Sequence, residues 1–129
     1  MGRGSSKAGG GGAKVQTDPL AKYSNEVFKA TYASDIKPGD KITDRVINEN
    51  TGKGEHKMWT YHPEGNETFK GYPYDVTVQS VKVSGKTTKI TALFDMAMVK
   101  TNPKESDWGK NFMVVTKTFK NGDILQKRK

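Results

Sequence analysis

Ser84-Gly85-Lys86-Thr87 ends like a phosphate-binding P-loop. That loop needs a glycine five positions before its second glycine, so that backbone can wrap a phosphate, and a following helix to aim its N-terminus at the charge. Position 80 is Ser80, and Thr88-Lys89-Ile90-Thr91 reads as strand, so the tetrapeptide is expected to be a hairpin turn. His56 and His62 are the two histidines, six apart, with no carboxylate at a spacing that would complete a metal site. Cysteine is absent, which removes thiolate zinc, disulfides and a thiol nucleophile together. Acid–base catalysis needs paired groups in a pocket, whereas the twelve carboxylates of residues 25–116 scatter through turns and loops. Asp95 differs, because it interrupts the apolar run Ala92 to Val99; strand parity places it with Leu93 and Ala97. No serine or threonine sits in a nucleophile motif. The expectation is a protein that is not an enzyme and holds neither cofactor nor metal.

The second chemistry is recognition. Trp59, Tyr61, Tyr72 and Tyr74 lie near Lys57 and Lys70 in sequence. Aromatic faces that stack bases, flanked by cations that hold phosphates, are how barrel-like domains bind single strands. The competing account is that Trp59 and Tyr61 cover the core while the lysines are solvated. Net charge is +8, but residues 1–24 carry +3 and residues 117–129 carry +4, which leaves +1 for the 92 residues between. The excess thus belongs to the ends, and Lys127, Arg128 and Lys129 are the candidates for phosphate contacts.

These residues need a framework, and the chain offers one from Asp75 to Val99. Two arms rich in Val, Ile and Thr meet at Ser84 to Thr87. The first arm alternates at Val76 and Val78, then changes phase and resumes at Val81 and Val83, which predicts a β-bulge at Gln79-Ser80. The second arm puts Ile90, Ala92, Phe94, Met96 and Met98 on one face. Pro38-Gly39 predicts a type II turn leading into a strand from Lys41 to Ile47. Further strands are expected over Lys57 to His62, Phe112 to Phe119 and Ile124 to Gln126. The last two are joined through Asn121-Gly122, the strongest short hairpin signal. Asn48 to Glu55, Pro63 to Gly71 and Lys100 to Lys110 read as loops. Asp18-Pro19 opens a short helix to about Val27, unless Val27 to Tyr32 is already a strand.

The sum is a mainly β chain: a small single-domain antiparallel barrel or sandwich of five to six strands with at most one short N-terminal helix. Residues 1–16, with six glycines in the first twelve positions, read as a flexible Gly/Ser-rich basic tail, residues 17–126 as the compact β-domain and residues 127–129 as a basic C-terminal tail. The opening MGRGSSKAGGGG resembles the starts of small proteins encoded by phages and prophages of gut bacteria. What that resemblance implies is a phage accessory protein. No run approaches about 18 apolar residues, so no membrane partner is expected, and the location expected is cytoplasmic. Function is expected to be non-catalytic binding of nucleic acid or a nucleoprotein. The alternative is a phage-type protein that inhibits a host defence factor, for example a CRISPR nuclease, by protein–protein binding.

Overall fold

The computed structural model describes residues 18–62, 69–71 and 73–129; the expected N-terminal tail, Tyr72 and most of the loop from Pro63 lie outside the described residues. Among the described residues nine strands form one antiparallel sheet: β1 (Phe28–Tyr32), β2 (Lys41–Ile47), β3 (Gly54–His56), β4 (Trp59–His62), β5 (Phe69–Gly71), β6 (Asp75–Ser84), β7 (Thr87–Asp95), β8 (Phe112–Lys120) and β9 (Ile124–Arg128). They are ordered β1-β9-β2-β6-β7-β8-β4-β5, with β3 paired to the far half of β2. The mainly β, antiparallel expectation holds. Among the described residues the strand count exceeds five to six, and the sheet does not close into a barrel.

β1 realises the alternative reading of Val27 to Tyr32 as a strand, and the extra strands are β3 and β5, both short. Gly54-Glu55-His56 has no apolar side chain to announce it and forms through backbone pairing with β2. The helix expected after Asp18-Pro19 shrinks to a single 3-10 turn, Ala21–Tyr23. Side chains compete with the helix there: Asn25 Oδ1 accepts from the N–H groups of Val27 and Phe28, at 2.8 and 2.7 Å. The Ser24 hydroxyl takes the Ala30 N–H at 2.9 Å, which starts β1 in its place.

The central hairpin forms as its residues dictate. β6 and β7 pair from Thr77↔Leu93 to Ser84↔Thr87, with the register shift between Val78 and Ser80. Gly85, at φ +58°, supplies the left-handed turn residue. Gly39, at φ +94°, does the same after Pro38, where the Asp40 N–H closes the turn on the Lys37 carbonyl. The second arm ends early, however. Asp95 Oδ1 accepts the Ala97 N–H at 3.0 Å and caps a 3-10 turn, Met96–Val99, so Met96 and Met98 leave the strand face.

Asn121-Gly122 does not make a hairpin. Gly122 keeps a negative-side φ, so the mirror-image turn that aligns paired strands is absent, and β8 and β9 go to different neighbours. This forces the shape. Four strand spacings separate β8 from β9 along the sheet, ~19 Å if it were flat, whereas the three residues between them reach at most ~14 Å. The sheet must therefore coil until its β8 and β9 ends meet at the Asn121 corner.

Coiling encloses one main core, with Ile42, Trp59, Val78, Ile90, Phe94, Val115, Phe119 and Leu125 buried in it. A smaller cluster of Leu20, Ala30, Ile47 and Ile124 lies apart from it. Ile124 and Leu125, adjacent on β9, enter different clusters, as the two-residue period of a strand requires. Among the described residues no helix is long and apolar enough to cross a membrane.

Candidate functional site

The sequence-derived site residues scatter. Trp59 is fully buried, edge-on to Phe119 with ring centroids 5.6 Å apart, and its face is closed to any base. The side chains of Tyr61 and Lys70, like the whole of Tyr72, lie outside the described residues. Tyr74 is exposed. Lys57 stands 3.8 Å from Glu55. Lys127 and Arg128 are strand residues of β9, so they are held in register; the Lys129 N–H extends this by donating to the Val27 carbonyl. Arg128 gives two hydrogen bonds to Asp75 Oδ2, at 2.8 and 3.2 Å, and lies over the Phe28 ring. Lys127 Nζ is 3.7 Å from Asp40. Lys57, Lys127 and Arg128 are already engaged by carboxylates, and the structure does not gather them with Trp59 on one face.

What the fold does gather is a row of lysines. The outward rungs of the sheet run Thr77↔Leu93, Ser80↔Thr91, Lys82↔Lys89 and Ser84↔Thr87 across β6 and β7. They continue onto β8 as Thr91↔Thr116, Lys89↔Thr118 and Thr87↔Lys120. Lys82 and Lys89 face each other directly and both are exposed. Lys86 sits in the turn between their strands. Among the described residues no carboxylate lies within ion-pair reach of Lys82, Lys86, Lys89 or Lys120. A like-charged pair directly opposite across a sheet is destabilising by a few tenths to about 1 kcal/mol. The bulge at Gln79 matters here: it brings Ser80 and Lys82 onto the face of Thr77, which an unbroken alternation would have denied them.

Asn121 fixes the geometry of this basic end. Its Nδ2 donates to the Gly85 carbonyl at 2.9 Å, its N–H donates to the Lys86 carbonyl at 3.0 Å, and its Oδ1 accepts from the fully buried Thr88 hydroxyl at 2.7 Å. The corner after β8 is thereby stapled to the tip of the β6–β7 hairpin, which holds Lys120 beside Lys86.

One pairing has the look of acid–base machinery. His56 Nδ1 lies 2.7 Å from the buried Asp44 carboxylate. The Arg45 guanidinium is 3.3 Å from the other ring nitrogen, so both nitrogens serve to latch β3 onto β2. Among the described residues no group of His, Cys, Asp and Glu could hold a metal ion.

At the opposite end of the same face lies a groove of about 390 Å³, with Leu93, Met98, Trp108 and Phe112 along it. Asp95 holds it together: Oδ1 caps the Met96–Val99 turn and Oδ2 accepts the Gly109 N–H at 2.9 Å, tying down the loop that carries Trp108. Asp107 closes that loop from its other side. The Lys100 ammonium, 2.9 Å away, and the Lys104 backbone N–H hold its carboxyl below the usual carboxylate range.

The signal for the basic row was present in the sequence as Lys82, Lys86 and Lys89 among serines and threonines. A near-neutral sum over the middle of the chain hid it, because that sum mixes both faces and every turn. Comparison with known proteins found no matching family model, no matching curated protein and no matching solved structure.

Proposed function

We propose that this protein is a non-catalytic binding module that engages the phosphate backbone of nucleic acid through the outward face of the β6–β7 hairpin and β8. The observation that supports this is the exposed Lys82–Lys89 pair, unrelieved by any carboxylate among the described residues. Like charges kept opposite one another cost stability in the free protein, and a polyanion removes that cost on binding. Hydroxyls of Ser80, Ser84, Thr87, Thr91 and Thr118 flank the amines, and such groups commonly donate to phosphate oxygens. The face reads phosphates, so sequence preference is not expected of it.

The test is the salt dependence of binding to a labelled single-stranded oligonucleotide. Four lysines on phosphates give a slope of about −3 in log affinity against log salt concentration. An affinity unchanged between low and high salt overturns the proposal. So does a stable complex with a host protein that survives nuclease treatment while no oligonucleotide binds, which would favour the accessory-inhibitor reading.

A further inference from the structure

The Trp108–Phe112 groove and the lysine row lie on one face, and the rungs between them are continuous. Leu93, in the groove, and Lys89, in the row, point the same way from β7, four residues and thus about 13 Å apart. Trp108 and Phe112 are each nearly half exposed, at 45% and 49%. A soluble surface rarely leaves two large aromatics so open on one groove without a use for them. Lys41 and Arg128 stand at its margin. The carboxylates nearby are spent internally: Asp75 on Arg128, Asp95 on two backbone N–H groups and Asp107 on Lys100. Apolar walls, open aromatic rings and the Lys41 amine, the one groove cation without a carboxylate partner among the described residues, match an unpaired nucleobase whose neighbouring phosphates run toward Lys82 and Lys89.

We infer that the groove lined by Leu93, Met98, Trp108 and Phe112 is a base-stacking subsite, which makes single-stranded nucleic acid the preferred ligand. This rests on the phosphate-binding reading above. A duplex keeps its bases stacked on one another and offers only backbone, so it can occupy the lysine row and not the groove. The loop is prepared for the task, because Asp95 and Asp107 fix its two ends before any ligand arrives.

The experiment compares four probes of about 12 nucleotides, within the site sizes of small β-domains: oligo(dT), an abasic strand of equal length, oligo(U) and a DNA duplex. The wild-type protein should bind oligo(dT) about tenfold or more tighter than the abasic strand, the preference expected when a base stacks on an aromatic ring. Trp108→Ala should abolish that preference while leaving abasic affinity unchanged, and Trp108→Phe should restore part of it. Tryptophan fluorescence adds a second readout. Trp59 is fully buried, so quenching by oligo(dT) reports Trp108 and should vanish in Trp108→Ala. A preference between oligo(dT) and oligo(U) reports the sugar and the thymine methyl together, and either direction supports the inference. Equal affinity for base-bearing and abasic strands, or for duplex and single strand, overturns it and leaves phosphate binding standing. Failure of every probe at low salt overturns the phosphate reading itself.

Discussion

Lysine stands directly opposite lysine at two places in the sheet, Lys82 against Lys89 in the central hairpin and Lys29 against Lys127 at the β1–β9 edge. The surroundings separate them. Lys127 is half-buried with Asp40 3.7 Å away, and the groove beside Lys29 also has Asp18 and Asp35 along it. Lys82 and Lys89 are exposed and have no such company among the described residues. A basic residue marks a binding face when the fold withholds its counter-charge, and register decides that more than composition does. The edge pair is a neutralised structural feature. The hairpin pair is a standing positive field.

The widest gap between the two should come from charge reversal. If the proposed phosphate-binding face is right, Lys82→Glu with Lys89→Glu removes two of its cations and adds repulsion, so affinity for an oligonucleotide should fall on the order of a hundredfold at low salt, with the salt slope flattened by about 1.5 to 2. The same double change at Lys29 and Lys127 should cost only a few-fold. Equal losses from both, read by fluorescence anisotropy, would erase the distinction and make net charge the whole explanation.

Legibility in the sequence followed the same division. The central hairpin, its bulge at Gln79 and the turn at Gly39 were readable because each depends on local residue chemistry and two-residue alternation. The coil of the sheet was not, because Asn121-Gly122 takes part in a corner whose hydrogen bonds come from Gly85, Lys86 and Thr88, more than 30 positions away. Trp59 shows the converse limit. Its neighbours Lys57 and Tyr61 suggest a binding strand, but only the pairing of β4 with β8 decides that its ring meets Phe119. Asp95 looked like a misplaced charge and is the clasp for two backbone turns. Charge summed by segment points to the chain ends, whereas the lysine row follows from strand register, which sorts residues by face.

A smaller effect sharpens the comparison from the opposite direction. If Asp40 is what silences the edge pair, Asp40→Asn should release Lys127 and raise oligonucleotide affinity two- to threefold, with a salt slope steeper by less than 1. Asp40 Oδ2 also accepts the Lys37 N–H at 2.8 Å, a bond the amide must keep, so unfolding by urea is measured alongside. A stable Asp40→Asn protein with unchanged affinity would mean that position, not neutralisation, keeps the edge pair out of binding.

The smallest effect concerns stability alone. Lys89→Thr removes the like charge opposite Lys82 and places a β-branched residue among Thr87, Thr91 and Thr118. The free protein should gain a few tenths of a kcal/mol, up to about 1 kcal/mol, in urea unfolding at low ionic strength. The gain should shrink as salt rises and screens the pair, since both amines are solvent-exposed. Nucleic-acid affinity should fall in the same variant. Opposite movement of stability and affinity is what a site held against its own repulsion must show. A variant that loses both would place Lys89 in the fold's support, and one whose gain ignores salt would trace it to strand propensity, leaving the unrelieved pair without an energetic signature.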